Sequence, residues 1–152
     1  MSMEATSIQD RLFPTMTCFG CGPANARGLQ LKSYVADGYI SATFTPWSEH
    51  DNGLGFLNGG IIATLLDCHS AAGVMNEAAL QGWEAPPGAL LPFVTAGIDV
   101  RYLRPSPLDR TVELRAVVVK STEPEIVCDA ELLYDGKTRA TGHAAWKRWR
   151  SR

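Results

Sequence analysis

Apolar and polar residues alternate in six segments of the chain, which is the pattern of half-buried β-strands. The segments are residues 29–35, 39–45, 94–103, 111–120, 126–134 and 137–146. Asp37-Gly38 follows the first segment and Asp135-Gly136 follows the fifth, and both dipeptides predict hairpin turns. Because a hairpin joins antiparallel strands, the pattern predicts an antiparallel sheet.

A helical period replaces the alternation from Gly59 to about Leu80, and charge is almost absent around this segment. A helix of this kind is expected to be buried on most of its surface. One sheet covers only one side of it, so a partner subunit could supply a second cover. The predicted fold class is α+β, with one long helix packed against the sheet.

Composition limits the classes of protein that remain. The 152 residues are 45% hydrophobic and 20% charged, as in a single globular domain. The net charge of -2 disfavours binding of nucleic acid through bulk charge. We find no signal peptide in residues 1–10 and no apolar stretch long enough for a membrane. We therefore expect a cytoplasmic protein with a flexible N-terminal arm at 1–17 and a single domain at 18–152.

Candidate chemistry concentrates where the helix begins, at Asn58-Gly59-Gly60. Asn58 is a favourable N-cap residue, and the two glycines leave the first-turn N–H groups open to an anion or a carbonyl oxygen. Glycine in a helix costs about 1 kcal/mol relative to alanine, so we expect a function that offsets the cost. Asp67 is the only acidic residue in 52–76. A carboxylate on a mostly buried helix is either functional or paired with a basic residue.

Residues 50–67 resemble the helix-start motif of hot-dog-fold acyl-CoA thioesterases, in the phenylacetyl-CoA thioesterase-like (PaaI-like) branch. In that family a glycine-rich loop runs into His-Gly-Gly, and an Asp or Glu follows nine residues after the His. Asn58 stands at the position of the His and Asp67 at that of the acid. Asn52 matches an active-site Asn of some members. Two further segments are similar to the family. One is the leader Cys18-Phe19-Gly20-Cys21-Gly22 with Gly28-Leu29, and the other is the strand from Thr95 to Tyr102 with Arg104-Pro105 after it.

The resemblance implies a hot-dog fold, in which an antiparallel sheet of five to six strands wraps around one long central helix. It implies hydrolysis of an acyl-CoA thioester whose carbonyl is polarised by the backbone N–H of Gly59 or Gly60. Asp67 would act as general base or nucleophile, Thr95 would orient the attacking water, and Asn52 would position the thioester or the water. The family also implies a homodimer or a dimer of dimers, with active sites at the dimer interface and neither a redox cofactor nor a metal.

Asn58 is a departure from the family, because asparagine can cap and donate but cannot titrate near neutral pH. Two alternatives to acyl-CoA hydrolysis therefore stay open. One is a non-catalytic acyl-CoA-binding or regulatory hot-dog protein. The other is a thioesterase that acts on thioesters of a carrier protein.

Four further residues are weaker candidates for substrate binding. His50 lies in the loop before Asn58-Gly59-Gly60 and either lines the pocket or lies at the surface. Trp83 belongs to a segment rich in Gly, Pro and Ala, which suits either a lid over an acyl tunnel or part of the core. Arg148 and Arg150 lie in a basic C-terminal run that either attracts the phosphates of coenzyme A or forms a solvated tail.

The cysteines offer one further possibility. Cys18 and Cys21 have the spacing of zinc ligands, but the sequence shows no second pair that would complete four ligands. Half-buried thiols in a turn are the more ordinary interpretation, and Cys68 is expected to be a packed thiol. His69 falls on the sheet-facing side of the helix and is expected to lie in the core or an interface.

Overall fold

The computed structural model describes residues 6–150, and its elements follow the predicted order of two strands, one long helix and four strands. A short additional helix precedes them, and a single 3-10 turn, Ser48–His50, lies in the loop before the long helix. The helices and strands are α1 (Ile8–Leu12), β1 (Tyr34–Val35), β2 (Ile40–Phe44), α2 (Gly59–Gln81), β3 (Phe93–Tyr102), β4 (Val112–Ser121), β5 (Glu125–Tyr134) and β6 (Lys137–Arg148).

The six strands form one antiparallel sheet in the order β1-β2-β4-β5-β6-β3. The predicted turn between β5 and β6 is present, with φ values of 54° at Asp135 and 71° at Gly136, as a tight type I′ hairpin requires. The first predicted strand is shorter than expected. The backbone N–H groups of Leu29 and Leu31 bond to the loop carbonyls of Phe19 and Gly20 instead of to a strand.

The long helix α2 packs against β3, β4, β5 and β6. Asn58 caps its first turn, and Gly82 ends it in the left-handed conformation at φ 76°. The sheet residues that face α2 are small or apolar and fully buried, and they include Leu114, Ile126, Leu132, Ala140 and Ala144. Within residues 6–150, no helix is long and apolar enough to cross a membrane.

The same chain supplies part of the second cover of α2, for which the sequence pattern left open a partner subunit. Helix α1 packs on α2, and Ile8 and Phe13 are buried at 1% and 5% exposure. The loop that follows adds Leu29 and Leu31 to the same core. Residues 8–13 therefore belong to the packed domain rather than to a loose arm, since their apolar side chains fill the side of α2 that the sheet leaves open. Residues 1–5 of the expected arm lie outside the described residues.

A buried polar chain joins these layers. The Nε2–H of His69 donates to the carbonyl of Ile40, so Nδ1 of the neutral ring accepts from the hydroxyl of Ser33 at 2.9 Å. Ser33 in turn accepts from the side-chain amide of Gln9, whose oxygen accepts from the Ser33 N–H. Every side-chain nitrogen and oxygen in this set of three residues has a hydrogen-bond partner. His69 is therefore a core histidine, as the sequence predicts.

We predict that stability falls as the pH is lowered through the titration range of His69. Burial lowers the pKa of His69 from its ordinary value of 6.5 to about 4. Between these values the unfolded chain binds a proton that the folded chain excludes. The stabilisation is complete above pH 6.5, and about 3 kcal/mol is lost as the pH falls to 4. Denaturant titrations at several pH values measure the effect.

The control for this prediction is a histidine variant. His69→Gln removes the titrating group and should flatten the pH dependence. Equal pH profiles for the wild type and His69→Gln would refute the assignment.

Candidate active site

The start of α2 presents one unused backbone donor. The side-chain oxygen of Asn58 accepts from the N–H groups of Gly60 at 2.7 Å and Ile61 at 3.2 Å. The backbone carbonyl of Asn58 accepts from Ile62. Among the hydrogen bonds of residues 6–150, the N–H of Gly59 has no acceptor. The family resemblance implies the backbone N–H of Gly59 or Gly60 as the donor. Because the cap already uses the N–H of Gly60, the N–H of Gly59 is the one that remains available.

Tyr102, the last residue of β3, holds this helix start in place. Its hydroxyl donates to the carbonyl of Gly59 at 2.7 Å. A Cβ on Gly59 would lie 3.5 Å from the Tyr102 ring, which is ordinary van der Waals contact. Sequence reasoning did not select Tyr102, because strand alternation does not distinguish a tyrosine that reaches a helix from one that faces solvent.

Asn52 lies in the loop beside the helix start. Its side-chain oxygen accepts from the N–H groups of Leu54 at 2.8 Å and Phe56 at 3.2 Å, so it shapes the loop. Asn52, Gly59 and Tyr102 line one surface cavity of 410 Å³. We call Asn52, Asn58, Gly59 and Tyr102 the helix-start half-site.

Asp67 and Thr95 form a second half-site, the carboxylate half-site. The hydroxyl of Thr95 donates to the Asp67 carboxylate at 2.9 Å. A bulge in the pairing of β3 with β6 follows Thr95 directly. The two residues lie in a mostly apolar cavity of 240 Å³. Burial raises the pKa of Asp67, the hydrogen bond from Thr95 opposes this shift, and the electrostatic interaction with Cys18 adds to it.

The two half-sites of one chain are separated along α2. Gly59 and Asp67 are eight residues apart, which is about 12 Å at a helical rise of 1.5 Å per residue. The two cavities share no lining residue. A carbonyl bonded to the Gly59 N–H therefore lies too far from Asp67 of the same chain for the carboxylate, or a water that it holds, to attack it.

Comparison of the sequence with models of known protein families identifies the superfamily of this chain. The sequence profile of the Thioesterase superfamily matches residues 54–141, more than half of the chain. The chain belongs to the thioesterase superfamily. The matched range includes the helix start, Asp67 and Thr95.

Solved structures confirm the predicted hot-dog fold. A thioesterase superfamily protein of Shewanella loihica PV-4 is 29% identical, with a TM-score of 0.62 over 84% of this chain and 98% of that chain. A phenylacetic acid degradation-related protein of Ralstonia eutropha JMP134 is 21% identical, with a TM-score of 0.68 over 93% and 98%. The PaaI protein of E. coli is 20% identical, with a TM-score of 0.66 over 84% and 86%. A search of the curated proteins found no match.

His50 is packed inside the loop before α2 rather than exposed at the surface. It is 6% exposed, and its Nδ1 accepts from the N–H of Trp47 at 2.9 Å. The ring of Trp47 stacks on it with centroids 4.6 Å apart. These contacts shape the loop before α2. A glycine-rich loop has no periodic pattern from which they could be predicted.

The remaining weak candidates lie near the far end of α2. Arg148 donates to Glu123 at 3.1 Å and to the carbonyl of Pro92, and Arg150 pairs with Glu123 at 3.5 Å. Both arginines therefore hold the chain end to neighbouring loops. Trp83 lines a cavity of 340 Å³ beneath the segment that follows α2.

A third cysteine joins the Cys18–Cys21 pair at the carboxylate half-site. The sulfurs of Cys18, Cys21 and Cys68 all lie within 4.8 Å of one another and line the cavity that contains Asp67. Hydrogen bonds from Cys21 and Cys68 lower the pKa of Cys18 to about 2, and the interaction with Cys18 raises the pKa of Cys21 to about 12. Sequence spacing could not show that Cys68 joins a pair almost fifty residues earlier.

We predict that Asn58→Ala destabilises the protein by about 1 kcal/mol, since it removes an N-cap that satisfies two amides. Asn58→Asp keeps an equivalent acceptor and should remain near wild-type stability. Asn58→His restores the family residue but should lose the cap. Denaturant unfolding of the three variants measures this, and an Asn58→Ala protein as stable as wild type would contradict the role of the cap.

Proposed function

We propose that this thioesterase hydrolyses acyl-CoA thioesters at a site shared by two copies of the chain. The observation that carries the proposal is the half-buried Asp67 carboxylate, held by Thr95 in an apolar cavity, two helical turns from its own helix start. Each half-site supplies one part of acyl-transfer chemistry. A second chain has to bring the two parts together.

Asp67 provides the attacking half. Its burial disfavours the charged form and makes the carboxylate more basic, as a general base for water or as a nucleophile toward the carbonyl carbon. Thr95 fixes the orientation of one carboxylate oxygen, which leaves the other free to meet water or substrate. Collapse of the tetrahedral adduct releases the coenzyme A thiolate. In the base route this step yields the acid directly, and in the nucleophile route a mixed anhydride is hydrolysed afterwards.

Gly59 of the partner subunit provides the stabilising half. The oxyanion that forms from the thioester carbonyl needs a donor that is already oriented. The N–H of Gly59 lies at a helix N-terminus, where the helix dipole favours negative charge. Asn58 holds the first turn rigid, so little reorganisation accompanies the reaction.

Two surface features support a homodimer, with a dimer of dimers as a further level of assembly. Strand β3 is an edge strand, and its outer edge has no partner strand within residues 6–150. Gly60, Ala63, Thr64 and Asp67 form a stripe along α2 that remains partly exposed. An antiparallel pairing of two β3 edges about a two-fold axis would run the two α2 helices antiparallel, with each helix start beside the partner's carboxylate.

The acyl group would occupy the apolar space beyond Asp67. The 240 Å³ cavity at Asp67 and the 340 Å³ cavity near Trp83 share Phe13, Met75 and Leu91 as lining residues. Together, two neighbouring cavities of this kind would suit an aliphatic or aromatic acyl chain. The coenzyme A portion would extend past the helix start. A cytoplasmic location, where acyl-CoA is available, is part of this proposal.

We predict that Asp67→Asn lowers kcat by about 10²–10⁴-fold, because it removes the base or nucleophile while keeping the shape of the side chain. Binding of a non-hydrolysable acyl-CoA should change little. Thiol release from a panel of aliphatic and aromatic acyl-CoAs measures turnover, and calorimetry measures binding. Asp109→Asn, in an exposed loop, is the matched control and should keep wild-type kinetics.

The outcomes of this assay separate the alternatives. A folded Asp67→Asn protein that keeps most of its kcat would overturn the role of Asp67. Tight binding of acyl-CoA by a wild type that hydrolyses nothing would identify a binding or regulatory protein. Faster turnover of acyl groups on a carrier protein would identify the carrier-protein thioesterase.

We predict that Gly59→Pro lowers kcat by about 10²–10³-fold, the usual effect of losing one oxyanion donor. Proline is tolerated at the first helical position and removes only the N–H. Gly59→Ala keeps the N–H, and its Cβ meets Tyr102 at an ordinary distance, so it serves as the control. An active Gly59→Pro enzyme would exclude Gly59 as the donor.

Co-expression of Gly59→Pro and Asp67→Asn chains tests the shared site. In a mixed dimer, one site carries both defects, and the other combines an intact Gly59 with an intact Asp67. Affinity-purified mixed dimers should therefore recover about half of the wild-type activity per dimer. If each chain holds a complete site, the mixed dimer has no intact site and stays as inactive as its parents.

A further inference from the structure

We infer that Cys18, Cys21 and Cys68 form a zinc site of three thiolates, with the fourth coordination position open to the cavity that contains Asp67. This inference is independent of the thioesterase activity. It goes beyond the sequence interpretation, in which Cys18 and Cys21 lacked further ligands.

The spacing of the sulfurs fits a tetrahedral zinc ion. Zinc–sulfur bonds of about 2.3 Å at tetrahedral angles place two sulfurs about 3.8 Å apart. The Sγ atoms of Cys18 and Cys68 are 3.8 Å apart, and all three sulfurs lie within 4.8 Å of one another. Small adjustments of side-chain torsions bring three such atoms to one ion.

The turn from Cys18 to Gly22 brings the first two cysteines of the cluster together. Gly22 closes the turn with a hydrogen bond to the carbonyl of Cys18 at 2.8 Å. Two cysteines separated by two residues in a tight turn have the spacing that structural zinc sites use for a pair of ligands.

Gly20 allows the helix cysteine to reach this turn. A Cβ at Gly20 would lie 2.3 Å from the Sγ of Cys68 and 2.9 Å from a methyl of Thr64, so a larger residue here would require these side chains to shift. The chain thus brings a helix and a loop into contact at their sulfurs. Apolar packing alone does not require that three sulfurs converge at this contact.

A divalent cation would offset most of the negative charge of three clustered thiolates. Zn²⁺ replaces the thiol protons, and its binding releases up to three protons to solvent. Within the described residues, no fourth histidine, cysteine or carboxylate joins the three sulfurs in this cluster. A water, or a donor that enters through the cavity, would therefore complete four-coordination. The ion would tie the loop to α2 one residue from Asp67 and so fix the wall of the carboxylate half-site.

Metal titration of the full-length protein tests the site. Reduced, chelator-treated protein is equilibrated with Zn²⁺ or Co²⁺. The bound metal is then measured by elemental mass spectrometry. We expect one zinc per chain, and Co²⁺ should give the intense visible absorption of tetrahedral cobalt thiolates. Cys18→Ser should lose both signals, whereas Cys128→Ala alters a buried cysteine outside the cluster and should retain them.

A second measurement on the wild type does not depend on the folding of a variant. Zinc should protect three of the four cysteines from a thiol reagent, with Mg²⁺ giving no protection. Equal zinc content in Cys18→Ser and the wild type would overturn the site, as would failure of Zn²⁺ to protect the thiols. A disulfide between any two of the three cysteines in freshly purified protein would also overturn it, since it removes two ligands.

Discussion

The burial of α2 on two sides is the constraint on which the rest of the structure depends. Its residues from Leu65 to Met75 carry almost no charge except at Asp67, so the helix has to be covered by apolar groups. The sheet covers one side. Helix α1 and the loop after it cover another, which is why the N-terminal segment belongs to the core. The stripe from Gly60 to Asp67 remains partly exposed, and the proposed chemistry uses this stripe.

The position of Asp67 follows from this packing. A carboxylate on such a helix has to be hydrogen-bonded or neutralised, and the hydroxyl of Thr95 meets this requirement only in part. The residual cost of burial raises the pKa of Asp67, which supports its proposed role as base or nucleophile. The regular geometry of α2 keeps Asp67 two turns from its own helix start, so reactivity is proposed to depend on assembly of two chains.

Local sequence signals predicted most of the fold and those residues of the candidate site that lie on α2 or cap it. Alternation identified the strands, and the Asp-Gly turn between β5 and β6 identified its hairpin, because both depend on residues within a few positions of each other. The spacing of Asn58, Gly59 and Asp67 on one helix follows from the same local geometry. The shortened β1 was not predictable, since the backbone bonds of Leu29 and Leu31 go to a distant turn.

By itself the sequence determined the elements, their order, the cap at Asn58 and the acid at Asp67, since period, capping and turn preferences act over one or two helical turns. Only the tertiary structure decided that Thr95 bonds to Asp67, that Tyr102 holds Gly59 and that Cys68 joins Cys18 and Cys21. The residues of each contact are from 28 to 50 positions apart. Such contacts depend on how the sheet curves around the helix and on which side chains the core excludes, and no local pattern encodes either property.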